Sequence, residues 1–191
     1  MYLNQSSTNS PWGTDFHPAF IAEGIRGFTT STHGGFGLSV ERLATMPAPL
    51  RAISPFAGTG WYEEDVDWCL VVLAFPDCFS DSDCFHAIRT ARGAPFAALV
   101  DWDTFLAHTP EGLLCTERAA RDAALNADKY DPAGFSTDGA LATLTGVHRT
   151  TGERIVVTCL PGTEDNNLYR PFSLADAEAL IRHGGSIQRN A

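Results

Sequence analysis

Apolar residues recur at helical spacing in one stretch that begins just after Trp61. The stripe consists of Val66, Cys69, Leu70 and Leu73, at i, i+3, i+4 and i+7. This periodicity predicts an amphipathic helix over residues 63–75. Three acids at its start would lie in the first turn, where the helix dipole favours negative charge, and Pro76 would end it.

Alternating apolar and polar positions indicate two β-hairpins. The first covers 20–40, with a turn at His33-Gly34-Gly35, and the second covers 141–160. Four more helices are predicted, over 82–92, around 102–108, over 111–129 and from Ser173 onward. Residues 96–100 form a continuous apolar run, which fits either a buried strand or the lead-in to the helix after it.

These elements predict an α+β fold class, with one antiparallel sheet made from the two hairpins and packed with about five helices. No linker or internal repeat divides the chain, so we expect a single domain over 15–191. Residues 1–14 are rich in Ser, Asn and Thr, which is typical of a flexible tail. Trp12 could serve as an anchor that docks this tail onto the domain.

Composition excludes several classes of protein. The chain has 191 residues, 44% of them hydrophobic, and a net charge of −10. Phosphate backbones would repel so acidic a protein, so direct nucleic-acid binding is not expected. No signal peptide or membrane-spanning run is visible, which predicts a cytoplasmic protein with no membrane partner. The five cysteines do not have metal-ligand spacing, so we expect them to be reduced residues of the core.

The negative charge is concentrated in one part of the sequence. Residues 61–103 contain nine acids and only two arginines. One interpretation is an electronegative face that meets a basic partner. The other is a solvated face that serves solubility.

Motifs that could carry chemistry are incomplete. The HGG segment at His33 is similar to oxyanion-hole loops of esterases, but the GxSxG elbow they require is missing. The Asp101-Trp102-Asp103 tripeptide follows an apolar run, as in some metal-dependent transferases, but no nucleotide-binding half precedes it. Glu63 and Glu64 could act as an acid and base, but on a helix they would point about 100° apart. We therefore assign no catalytic residue, no metal ligand and no cofactor.

Two blocks of sequence carry a resemblance. They are 29–42 (TTSTHGGFGLSVER) and 61–75 (WYEEDVDWCLVVLAF). Together they resemble an uncharacterised domain of plasmid and phage proteins that often neighbours antirestriction-type modules. The resemblance covers about 20–90 and implies a mobile-element setting, but it brings no catalytic residues.

These observations favour a binding protein over an enzyme. The expected function is inhibition of a host defence complex, of anti-CRISPR or antirestriction type, with DNA mimicry as its most concrete form. The partner would be the basic surface of that nucleic-acid-binding complex; the sequence specifies no oligomeric state. The expected contact residues are His33, Phe36, Trp61, Tyr62, Glu63, Glu64, Asp65 and Asp67. The alternative is a small hydrolase or metal-dependent transferase that uses the region of His33 or of Asp101 and Asp103.

Overall fold

The computed structural model describes residues 8–15, 17–160, 171–182 and 184–190. The strands in these ranges are β1 (Asn9–Ser10), β2 (Gly13–Thr14), β3 (Ala19–Ala22), β4 (Ile25–Thr29), β5 (Gly34–Leu38), β6 (Trp61–Glu63), β7 (Tyr130–Thr137), β8 (Ala142–His148), β9 (Arg154–Cys159) and β10 (Gly185–Asn190). The α-helices are α1 (Val40–Thr45), α2 (Ala48–Arg51), α3 (Trp68–Ala74), α4 (Asp81–Gly93), α5 (Trp102–His108), α6 (Pro110–Leu125) and α7 (Leu174–Leu180). None of the helices described is long and apolar enough to cross a membrane.

The chain divides into two compact units, residues 1–122 and 123–191. The first contains an antiparallel sheet in the order β3-β4-β5-β6 and the helices α1 to α5. Gly24 turns the chain between β3 and β4 with a φ of 75°, a conformation that glycine adopts without steric cost. Helix α3 supplies the centre of the core, since every residue from Cys69 to Ala74 is buried.

The second unit has its own antiparallel sheet, in the order β10-β9-β8-β7, and helix α7. Side chains alternate along β8 and β9, so that Leu144, Ile155 and Val157 enter a small core. Ala177 of α7 and Phe172 complete it. The Arg149 guanidinium donates to the Asp131 carboxylate at 2.6 Å and forms an almost fully buried ion pair.

The predicted α+β class with antiparallel sheets is confirmed, but the prediction of one sheet is wrong. Residues 20–40 and 141–160 belong to two different sheets. Each hairpin gains partners from elsewhere in the chain, β6 in the first case and β7 and β10 in the second. Whether the chain folds as a single domain stays a prediction.

Other boundaries also differ from the predictions, and the helix expected over 111–129 runs over Pro110–Leu125. The helix expected over 63–75 begins only at Trp68, because Trp61–Glu63 pairs with β5 as a strand. Within the expected flexible tail, β1 and β2 form a hairpin. It is held in place because the Trp12 ring packs edge-on against Trp61 at 5.9 Å, as a docking anchor would. Residues 1–7 lie outside the described ranges.

Candidate functional site

The two sequence blocks of the resemblance are neighbours in space. Strand β5 follows the turn at His33, and it pairs with β6 so that Gly35 lies opposite Glu63. The pairing continues past the strand end, where the Glu64 amide donates to the Gly34 carbonyl at 3.2 Å. The HGG segment therefore lies beside the glutamates at 63 and 64.

Glycine is required where these segments meet. A Cβ atom on Gly34 would lie 2.5 Å from Oε2 of Glu64 and 2.7 Å from the carbonyl oxygen of Phe28. Gly35 has a φ of 143°, and a Cβ there would collide with the Tyr62 carbonyl. The two glycines are explained by the close approach of β5 to its neighbours, without any oxyanion hole.

The turn that carries His33 is held by Thr30. The Thr30 hydroxyl donates to the His33 carbonyl at 2.7 Å and accepts from the His33 amide at 3.2 Å. A backbone bond from the Thr30 amide to the same carbonyl, at 2.9 Å, closes the turn. The backbone of His33 is thus fixed although its side chain is exposed.

A pocket of about 620 Å³ opens beside this turn, within the range of small-ligand sites. We call it the acidic pocket. Its polar wall contains His33, Ser54, Glu63, Asp65 and Asp67, and its apolar wall contains Trp12, Val66, Pro95 and Leu99 together with Phe56 and Phe96. Several carboxylates therefore face a mainly apolar cavity.

Burial changes the ionisation of two of these carboxylates. Desolvation raises the pKa of Glu63 above its ordinary value. Desolvation also raises the pKa of Asp67, which is only 6% exposed. The amide of Phe56 donates to the Asp67 carboxylate at 2.6 Å and partly opposes that rise. No lysine or arginine is among the described residues that line the pocket.

Most of the other acids between residues 61 and 103 have structural partners. Asp81 pairs with Arg118 at 2.8 Å and with Arg121 at 3.0 Å. Asp103 pairs with Arg92 at 2.7 Å. Asp83 forms the capping box of α4, and Asp101 caps α5 through the Thr104 amide. Of the described acids in this segment that have no ion pair with lysine or arginine, Glu63, Asp65 and Asp67 line the acidic pocket.

The predicted contact residues fall into two groups. His33, Glu63, Asp65 and Asp67 line the pocket, and Glu64 lies beside His33. Trp61 and Tyr62, however, are only 3% and 1% exposed. They point into the core on either side of β6, where the Tyr62 hydroxyl meets the Met46 sulfur at 3.3 Å.

The three aromatic residues among the expected contacts, Phe36, Trp61 and Tyr62, therefore form no exposed surface. Phe36 is partly buried, and its ring packs against Phe79 at 5.3 Å. The exposed apolar surface comes instead from Phe56, which is 91% exposed, and from Leu99, at 73%. Neither belongs to a motif, and no pattern in the sequence indicated that these two residues reach the same pocket.

His33, Glu63 and Glu64 form a tight cluster at the edge of the pocket. One potential ligand atom from each lies within 4.8 Å of the others. The expectation that the two glutamates could not face one point assumed a helix. They stand instead at the end of β6 and in the turn after it, so both carboxylates reach the imidazole.

The chain matches one family of known proteins. Residues 5–108, just over half of the chain, match a family described as a domain of unknown function, DUF7007. The chain belongs to this family, which confirms the resemblance to an uncharacterised domain. An association with antirestriction modules stays a prediction. No curated protein and no solved structure matches the chain. The acidic pocket lies wholly inside the matched segment, whereas the second unit lies outside it.

Proposed function

We propose that this protein is a binding protein whose acidic pocket receives a basic side chain of a partner protein. The observation that carries the proposal is the composition of the pocket. Glu63, Asp65 and Asp67 face a cavity with aromatic walls, and no basic residue is among the described residues that line it.

An arginine side chain matches this arrangement. Its guanidinium donates pairs of hydrogen bonds to carboxylates and stacks on aromatic rings. Its methylene stem covers apolar surface, for which Phe56 and Leu99 are available. The apolar walls exclude water around the contact, and this strengthens the attraction between the charges.

The partner we propose is the basic surface of a nucleic-acid-binding defence complex, which the protein would inhibit. Such complexes hold nucleic acid in positively charged channels. A net charge of −10 would speed the encounter with such a surface. Because Glu63, Asp65 and Asp67 are gathered at one pocket, the geometry supports a local docking point better than an extended imitation of duplex DNA.

A charge-reversal experiment tests the pocket. The probe is a fluorescent hexa-arginine peptide, and the variant combines Glu63→Lys with Asp65→Lys. The matched control combines Asp128→Lys with Glu178→Lys, which makes the same change of charge at exposed positions of the second unit. We expect the pocket variant to weaken peptide binding by about tenfold or more and the control by much less. Equal loss in both would mean that only net charge matters.

The biological form of the proposal has its own test. Purified restriction and CRISPR complexes are assayed for DNA binding with and without the protein. Inhibition by the wild type and the control variant, but not by the pocket variant, is the expected result. If no complex is affected, the inhibitor role is wrong even where the peptide binds.

A hydrolase is the second candidate, and the meeting of His33 with Glu63 at the pocket wall favours it. An imidazole can serve as a general base, and a carboxyl with a raised pKa can serve as a general acid. Asp101 and Asp103 do not line the pocket. Turnover of p-nitrophenyl esters or phosphates that disappears in His33→Gln would support this alternative, and turnover unchanged by His33→Gln would contradict it.

A further inference from the structure

We propose that His33, Glu63 and Glu64 bind one divalent transition-metal ion, Mn²⁺ or Zn²⁺, at the edge of the acidic pocket. This inference goes beyond the proposed function, because it requires no partner protein. It also revises the expectation from the sequence that the chain has no metal ligands.

The distances within the cluster suit a single ion. Two ligands of one ion, each about 2 Å from it, lie at most about 4 Å apart. The three candidate atoms already lie within 4.8 Å of one another. Because His33 and Glu64 are exposed and Glu63 is only half-buried, small rotations of these side chains would close the remaining gap.

Neighbouring groups support two of the candidate ligands, Glu63 and Glu64. The Asp65 amide donates to Oε2 of Glu63 at 2.9 Å. Because Gly34 has no side chain, the Glu64 carboxylate can pack against the backbone of β5 next to His33. Supporting contacts of this kind orient metal ligands and raise the affinity of a site.

The cluster lies next to a cavity. His33 and Glu63 both line the acidic pocket, so an ion held by the three side chains would keep positions open toward a space of about 620 Å³. Three protein ligands with a free position facing a cavity are typical of sites where a metal ion holds water or a substrate. Moreover, within the described ranges neither Glu63 nor Glu64 has an ion pair with lysine or arginine.

The donor atoms select the class of metal. One imidazole nitrogen with two carboxylates suits Fe²⁺ and Zn²⁺, which bind imidazole well, and Mn²⁺, which favours the carboxylates. Ca²⁺ and Mg²⁺ prefer oxygen alone, and Cu⁺ prefers sulfur, which the cluster lacks.

The test uses the full chain after treatment with a chelator. Mn²⁺ is titrated while the histidine ring signals are followed by NMR, because this paramagnetic ion broadens the signals of nearby nuclei. Isothermal calorimetry with Mn²⁺ and Zn²⁺ gives the stoichiometry and affinity. Mn²⁺ is the decisive probe, since it has less affinity than Zn²⁺ for a thiol such as that of the partly buried Cys78.

The variants are His33→Gln and Glu64→Gln, with His108→Gln and Glu178→Gln as matched controls at exposed positions that do not line the pocket. We expect one equivalent of Mn²⁺, selective broadening of the His33 ring, and a loss of affinity of about tenfold or more in either site variant. The controls should bind like the wild type.

Two outcomes would overturn the proposal. One is the absence of Mn²⁺ and Zn²⁺ binding at millimolar concentration. The other is binding that both site variants retain, which would place the ion elsewhere. Circular dichroism checks the fold of each variant, and His33→Gln at an exposed turn keeps the test decisive if Glu64→Gln is destabilised.

Discussion

Gly34 has almost no room for a side chain, although it lies next to the cluster of His33, Glu63 and Glu64. A methyl group there would meet both the Glu64 carboxylate and the Phe28 carbonyl. We therefore predict that Gly34→Ala lowers the free energy of unfolding by about 1–3 kcal/mol, the usual range for overpacking. Urea denaturation followed by circular dichroism measures the change.

Gly93 provides the comparison for Gly34. It ends α4, its φ is not positive, and a Cβ there would have nothing within 4 Å. Gly93→Ala should therefore be neutral or stabilising by up to about 1 kcal/mol. Similar destabilisation by the two substitutions would show that packing against Glu64 is not what limits position 34.

Asp67 and Asp81 should give opposite pH dependences. Desolvation raises the folded-state pKa of Asp67 above 3.8, so the folded protein holds this proton more tightly than the unfolded chain does. Its contribution to stability therefore falls as the pH rises through that raised pKa. Hydrogen bonding to Arg121 lowers the folded-state pKa of Asp81 below 3.8, so its contribution is present above 3.8 and is lost as the pH falls through the lowered value.

The measurement compares the wild type with Asp67→Asn and Asp81→Asn between about pH 3 and pH 7. The advantage of the wild type over Asp67→Asn should shrink as the pH rises, and its advantage over Asp81→Asn should grow. If the stability differences from the wild type change with pH in the same direction for both variants, the environments assigned to these two carboxylates are wrong.

Among the elements, those with local signals were predicted and those that depend on distant partners were not. Helix α4 and the β8–β9 hairpin have their signals within their own sequence, and the structure confirms both. Helix α7 also begins after Ser173 as predicted, and Ser173 forms a capping box with Asp176. Strand β7 was missed because Pro132 and a register shift before Gly134 interrupt its pattern.

The segment around Trp61 shows why the site was only partly predictable. The acids at 63–65 look like a helix start, but pairing with β5 makes Trp61–Glu63 a strand. That pairing joins residues more than twenty positions apart, which a local pattern cannot reveal. The sequence therefore identified His33 and the acids as candidates, but it misjudged the exposure of Trp61 and Tyr62.

The capping box of α4 should contribute to the free energy of unfolding. The Ser80 side chain accepts from the Asp83 amide at 3.1 Å, and the Asp83 carboxylate accepts from the Ser80 amide at 2.9 Å. Ser80→Ala should lower the free energy of unfolding by about 1 kcal/mol. Ser82→Ala, inside the same helix, should be neutral or slightly stabilising, since alanine is the better helix former. If denaturant titrations show the same change in the free energy of unfolding for both variants, loss of the capping box is not the cause of the destabilisation.

At the scale of the whole molecule, the described residues form separate cores in the two units. The larger core is built on α3, and the smaller one lies between α7 and its sheet. The acidic pocket depends only on the first unit. A change that destabilises the second unit should thus leave the pocket intact unless the two units unfold together.

Matched cap removals test whether the units unfold separately. Ser80→Ala acts on α4 in the first unit, and Ser173→Ala acts on the equivalent capping box of α7 in the second. Because the cores are separate, we expect two unfolding events, with Ser80→Ala shifting one and Ser173→Ala the other, each by about 1 kcal/mol. Hydrogen exchange followed by NMR resolves the units, since each amide reports the opening free energy of its own unit. If both variants lower the protection of all core amides equally, the chain unfolds as the single domain that the sequence predicts, and the separate cores do not act as independent units.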